Sequence, residues 1–293
     1  MANFILPDHD ADAFKPIEEK QLGNILDSFV YAIFGGFQRW DGVYFIHIAQ
    51  HGYTFENTLA FFPLFPISVR FIANSLFIPL QFILQYSNVL LVSSWVVNTF
   101  FFVRTAEVLL LLGLDTTKNN AIAYKAALLF CVCPASVFMS APYSESLFAF
   151  LTFSGLLHLH RENIVMAALY FSLSFTTRSN GLLNICFLLY FILKYVLHRV
   201  IRLYKAAMMN WQVLLAIPWI FISTTMIPYL FVILMSILPL ITFQVYCYKL
   251  YCSQTKTIII EDHVMKIGLQ NNLKMPGNFT PSWCSDRLPL SYR

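Results

Sequence analysis

One carboxylate, two imidazoles and a guanidinium stand among four aromatic rings in the run Arg39-Trp40-Asp41-Gly42-Val43-Tyr44-Phe45-Ile46-His47-Ile48-Ala49-Gln50-His51-Gly52-Tyr53. Such a set can take a proton on Asp41, stabilise negative charge with Arg39 and stack flat groups on the rings. Polar groups are costly beside apolar membrane segments, so a cluster there marks a substrate path or a reaction centre. An ordinary interfacial segment is the competing explanation, because Trp and Tyr settle at the headgroup level and an Asp beside an Arg forms a solvated ion pair. His47 and His51 are four apart and would share a helix face. No Glu follows the first of them and no third ligand stands near in sequence, so no structural metal is expected.

The rest of the chain sets the surroundings of this run. Of 293 residues 58% are hydrophobic and only 12% charged, which excludes a soluble globular domain. Several windows reach the roughly 20 apolar residues that a membrane-crossing helix needs, and no alternating strand pattern is present. The fold class read here is therefore all-α, a multi-pass transmembrane helical protein. A net charge of +4 is too mild for a nucleic-acid surface, so no nucleic-acid partner is expected. The six cysteines, Cys131, Cys133, Cys186, Cys247, Cys252 and Cys284, mostly lie in apolar runs and read as small buried hydrophobes rather than as bridges. The first residues, Met1 to Asp8, lack the charged and apolar regions of a signal peptide, so insertion would rely on internal spans.

Three regions are expected: 1–58, a loop with an interfacial helix and the Asp41 motif; 59–251, transmembrane helices; and 252–293, a polar loop. Residues 1–21 read as loop. From Leu22 to Gln38, apolar residues at helical spacing oppose Asn24, Asp27 and Ser28, which predicts an amphipathic helix lying on the membrane and presenting Asp41 at its surface. Apolar segments follow at 59–80, 86–112, 121–139, 147–159, 164–175, 182–196 and 211–251. Arg104 and Glu107 lie inside the second at i, i+3, where a buried ion pair is the ordinary explanation. Pro134, Pro142 and Glu145 interrupt the apolar region and put polar groups where a cavity could use them.

Lys194, Arg199, Arg202 and Lys205 form the densest basic run, with no acid among them, and predict a cytoplasmic face there. With the Asp41 loop on the opposite side, six crossings before residue 198 would put that run on the wrong side. One short segment is therefore expected not to span. Ile164 to Phe175, at roughly 18 Å against a core of about 30 Å, is the shortest. The tail after residue 252 is expected on the side of Asp41, where Asn278-Phe279-Thr280 forms a glycosylation sequon followed by Pro281.

Several motifs then coincide in order: Leu6-Pro7-Asp8-His9, Arg39-Trp40-Asp41-Gly42-Val43-Tyr44-Phe45, His51-Gly52-Tyr53, Phe61-Phe62-Pro63, Pro134-Ala135-Ser136-Val137-Phe138, Tyr143-Ser144-Glu145-Ser146-Leu147 and Arg178-Ser179-Asn180-Gly181-Leu182. Together they resemble the PIG-V family of GPI mannosyltransferases of the endoplasmic reticulum membrane, closely over residues 3 to about 200. The resemblance implies a GT-C type glycosyltransferase whose active-site loop is lumenal. It would move mannose from dolichyl phosphate mannose to a GPI glycolipid precursor, making the second, α-1,6, linkage. Its implied partners are these two substrates, membrane lipid and a small membrane subunit; no cofactor is expected beyond the lipid-linked donor.

Under that resemblance Asp41 becomes the catalytic base and Arg178, then Arg39, the leading phosphate partners. Trp40, Tyr44, His51 and Tyr53 join the substrate-binding set, the tyrosines and Trp40 as stacking faces or as membrane anchors. Glu145 would orient the acceptor or neutralise a buried donor, and Asn180 belongs to the Arg178 motif. Family members also begin with an apolar span before the Leu6-Pro7 stretch and continue beyond Trp283-Cys284, so a chain shortened at both ends, and an inactive fragment, is one alternative expectation. A multi-pass transporter is the other, although it should show paired halves, and none is visible.

Overall fold

The computed structural model describes residues 24–209, 227–253, 260–277 and 281–284. Residues 1–23 with Asp8, His9 and Asp12, the segment 210–226 and the Asn278 sequon lie outside them. The described residues form ten α-helices and no strand. In order these are α1 (Ile25–Phe34), α2 (Asp41–His51), α3 (Leu64–Ala73), α4 (Tyr86–Thr117), α5 (Asn120–Cys131), α6 (Glu145–His160), α7 (Ile164–Phe175), α8 (Asn184–Met209), α9 (Ile227–Tyr251) and α10 (Asp262–Gln270).

Among the described residues, three helical stretches are long and apolar enough to cross a membrane: Tyr86–Thr117, Ser179–Arg202 and Tyr229–Tyr251. Their outward faces carry large apolar side chains such as Phe100, Leu193 and Phe231, which suits lipid contact. The shorter apolar helices α3, α5 and α7 have 10, 12 and 12 residues. At about 1.5 Å per residue each falls well short of a core of about 30 Å. This fold is all-α and fits a multi-pass membrane protein.

The chain divides into two compact units, each discontinuous in sequence. The first comprises Met1–Arg104, Leu129–Leu147 and Thr242–Arg293; the second, Thr105–Leu128 and Phe148–Ile241. In the second unit, Ala167, Ala168 and Phe171 of α7 pack against Leu188 and Ile192 of α8 and Val232 of α9. Gly181 lets the 3-10 turn Ser179–Leu183 lie directly on the end of α7, since a Cβ there would sit 2.5 Å from Phe175 Cα.

In the first unit α1 turns its apolar side outward, with Ile25 85% and Phe29 61% exposed, while Asp27 is buried. Asp27 Oδ1 accepts from the Gln85 backbone N–H at 2.8 Å and from Asn88 Nδ2 at 2.7 Å. A helix start has unsatisfied N–H groups, and this carboxylate caps one of them at the head of α4. The expected interfacial helix is thus anchored by its polar side to the first long span, leaving its apolar side free for lipid.

Ile48, Tyr53 and Leu59 share a core with Phe243, Cys247 and Tyr251 of α9 and with Trp283. Phe55 shares another with Ile260, Val264, Ile267 and Met275. Phe243, Cys247 and Tyr251 lie in the second half of the candidate span Tyr229–Tyr251, so Ile48, Tyr53 and Leu59 pack at that end of it.

Four sequence expectations need correction. Cys252 and Cys284 form a disulfide rather than standing as separate apolar residues. Cys247 is the buried one among the free cysteines, with Cys133 and Cys186 exposed. The polar tail is not all loop: α10 buries Val264, Ile267 and Gly268 through an amphipathic pattern. Arg104 and Glu107 are both exposed on α4 rather than buried.

Candidate active site

Asp41 is the first residue of α2, and the run 39–53 is therefore mostly helix. The helix starts abruptly because Trp40 takes φ 46°, a left-handed conformation unusual for a bulky residue. Trp40 is itself 56% exposed. The N-terminal turn of a helix favours negative charge, so Asp41 sits where the backbone supports a carboxylate. Glu145 opens α6 in the same manner.

The loop that leads into α6 is fastened to the start of α2. Tyr143 donates its hydroxyl to the Arg39 carbonyl at 2.9 Å. Gly42 permits close approach, because a Cβ there would lie 3.0 Å from Pro142 Cγ. From α4, Asn98 Nδ2 donates to the carbonyls of Ala141 and, at 2.9 Å, Tyr143. From the first turn of α6, Ser146 donates to the Met139 carbonyl at 2.6 Å. Asp41, Tyr143 and Glu145 consequently share one electrostatic environment: burial first, then Asp41, then Glu145, push the Tyr143 phenol up to about 12. Tyr143 is thus a neutral O–H near two carboxylates. Asp41 and Glu145 are both half-buried, which leaves them reachable.

The aromatic residues of the run divide by role. Tyr44 stacks on Phe61 at 4.7 Å between centroids, and burial followed by Asp41 raises its phenol. Tyr53 is corrected from a stacking face to a core residue: it is 9% exposed, touches the Phe243 and Tyr246 rings, and donates to the Phe61 carbonyl at 2.7 Å. Burial raises its phenol strongly. A ring so enclosed offers no face to a ligand.

His51 ends α2, ten residues after Asp41 and so about 15 Å along the axis. It is not part of the Asp41 environment. His51 Nδ1 instead lies 3.6 Å from Glu261 Oε2, and its ring stands 5.3 Å from that of His263. Burial lowers its pKa, Glu261 opposes that, and His263 and Arg70 add to it. His47 is buried more deeply, bonded to Thr54 Oγ1 at 2.7 Å and stacked on Phe55. Burial, then His51 and His263, bring it down to about 3.

Arg39 is half-buried beside Asp41 in sequence. Arg178 and Asn180 belong to the second unit. Arg178 is half-buried at the head of the 3-10 turn and Asn180 is exposed within it. Asn184, just after that turn, donates to Thr152 Oγ1 at 3.0 Å and Ser174 Oγ at 2.9 Å, fixing the turn from below.

Tyr143 and Asn98 are positions that sequence reasoning did not select. Tyr143 lay inside a quoted motif, two residues before Glu145, and that proximity was the available signal. Asn98 carried a weaker one, an amide in an apolar span, where a buried polar group must find a partner.

A carboxylate at a helix start, a neighbouring phenol, a second carboxylate and an exposed indole suit proton abstraction from a hydroxyl and binding of a polar headgroup. The family model described as Mannosyltransferase (PIG-V) matches residues 1–293. A rat protein named GPI alpha-1,6-mannosyltransferase 2 is 36% identical over 290 residues, 99% of this chain and 56% of that protein. Its mouse namesake is 37% identical over the same shares. A Drosophila pseudoobscura protein named GPI mannosyltransferase 2 is 34% identical over 309 residues, 100% of this chain and 63% of that protein. The chain spans little more than half the length of these curated relatives. No solved structure matches it. With the model matched along its whole length, the chain belongs to the mannosyltransferase (PIG-V) family.

Proposed function

We propose that this chain carries the acceptor-activating part of a GT-C type mannosyltransferase that uses dolichyl phosphate mannose. It adds the second mannose, in α-1,6 linkage, to a GPI glycolipid precursor on the lumenal side of the endoplasmic reticulum membrane. The observation that carries the reading is the placement of Asp41: it opens α2, shares its environment with Tyr143 and Glu145, and follows a helix whose apolar side is free for lipid. A lipid-linked donor brings its phosphate to that depth, where the reacting headgroup meets water. The names of the relatives support the linkage. A disulfide between Cys252 and Cys284, in segments that pack with residues 48–61, supports an oxidising lumen on this side. The transporter alternative gains no support from these observations.

In this reading the Asp41 carboxylate takes the proton of the acceptor hydroxyl as its oxygen bonds to C1 of the mannose. The bond from C1 to the phosphate oxygen breaks, and the electron pair leaves with dolichyl phosphate. Arg39 offers a planar guanidinium to that departing charge. Arg178 and Asn180 are proposed as binding residues of the second unit, Arg178 for phosphate. Trp40 provides an exposed ring for a sugar or headgroup. The donor already carries a good leaving group, so no resident cofactor is needed; a small membrane subunit remains part of the proposal.

Asp41→Asn tests the reading, because it removes proton acceptance and nearly preserves shape. Membranes containing equal amounts of each form would be given dolichyl phosphate mannose and the one-mannose GPI precursor. Turnover is expected to fall about 100-fold or more, with donor binding little changed. Asp41→Asn activity within about threefold of the parent would remove Asp41 from the role and leave Glu145 as the next candidate.

A further inference from the structure

We propose that His51, Glu261 and His263 bind a divalent transition-metal ion, with Zn²⁺ the best match, at the end of α2 remote from Asp41. This inference is independent of the mannosyl-transfer reading. One ligand atom from each residue lies within 4.8 Å of the others. Glu261 Oε2 stands 3.6 Å from His51 Nδ1 and 3.4 Å from His263 Nδ1. Four-coordinate zinc with N and O ligands at about 2.0–2.1 Å has ligand-to-ligand edges of roughly 3.4 Å. Two edges of the tetrahedron are already near that length. Rotation of the exposed His263 ring shortens the third.

The donor set is chemically suited to the ion. Two imidazoles and one carboxylate satisfy zinc while leaving a fourth position for water. Glu261 supplies the negative charge that offsets the cation. Access is graded across the site: the His51 side chain is only 12% exposed, whereas Glu261 and His263 are 65% and 44% exposed. An ion can therefore enter from the solvent side and settle against a shielded imidazole.

The fold also fixes the two halves of the site before any ion arrives. Phe55 stacks on His47, one turn back from His51 on α2, and packs into the core with Ile260 and Val264, which flank Glu261 and His263. Gly268 and Met275 close in behind Phe55, and the Glu56 backbone N–H donates to the Lys274 carbonyl at 2.9 Å. Such a frame lowers the ordering cost of binding. The ion would act as a clasp between α2 and the segment carrying α10, holding down a short amphipathic helix that has little core of its own.

The test uses the full 293-residue chain purified in detergent, with its thiols alkylated so that cysteine cannot bind the probe ion. After equilibration with Zn²⁺ and removal of excess, metal content should be about one equivalent per chain, and Co²⁺ should give the intense visible bands of a four-coordinate site. Glu261→Gln and His263→Ala change exposed side chains and should leave the detergent elution profile unaltered. Each should weaken Co²⁺ binding at least about 100-fold. The proposal is overturned if the parent holds less than about 0.1 equivalent, or if both variants bind as the parent does.

Discussion

Tyr143 and Arg39 are 104 residues apart, yet the phenol of one donates to the main-chain carbonyl of the other at 2.9 Å. Through this bond the loop before α6 grips the residue pair that starts α2, and with it the direction of Asp41. Asn98 holds the same loop from α4. The start of α2 is thus set by two contacts distant in sequence.

Tyr143→Phe removes only the hydroxyl. The Arg39 carbonyl keeps the Gly42 N–H as a partner, so the stability loss should be about 1 kcal/mol. Transfer activity should fall further than stability, about tenfold, because Asp41 is less well aimed. Thermal unfolding in detergent and the membrane transfer assay separate the two effects. A variant equally active and equally stable would remove Tyr143 from the site.

Asp27→Ala should be more costly to the fold. It strips the Gln85 N–H and the Asn88 amide of their buried acceptor, a loss on the order of 1–3 kcal/mol. Asp27→Asn retains one acceptor oxygen and should fall between that variant and the parent. The denaturation midpoints of the three proteins should rank in that order.

Gly181→Ala brings a methyl group against the Phe175 backbone, which cannot yield as a flexible side chain can. Overpacking of this kind costs about 1–3 kcal/mol. Gly36→Ala meets nothing within 4 Å and serves as the contrast. If both substitutions leave the unfolding midpoint unchanged, the turn at Ser179–Leu183 does not lie on α7 as described.

The Cys252–Cys284 bridge closes a loop across a separation of 32 residues. In the chain-entropy account a loop of that size contributes about 3–4 kcal/mol. Replacing both cysteines with Ser should lower stability by up to that amount. Alkylation of the denatured, unreduced chain should modify Cys131, Cys133, Cys186 and Cys247 and spare the other two until reductant is added. Modification of all six without reductant would show that the bridge is absent.

Local composition and period by themselves determined that this is a helical membrane chain, that its first described helix is amphipathic, and that Asp41 stands in a polar aromatic cluster. These properties reside in residues within a few turns of one another, and neighbours in sequence are enough to express them. Only the tertiary structure decided that Tyr53 belongs to a core, that Tyr143 reaches Arg39, that Cys252 finds Cys284, and that His51 faces Glu261 and His263. A hydrophobic or polar period says that a face needs a partner and is silent about which one. Glu261 and His263, the groups that face His51, lie 210 and 212 residues further along the chain. Side-chain packing around Phe55 brings them back, because the apolar face of a nine-residue helix is too small to be stable until it is buried against another element.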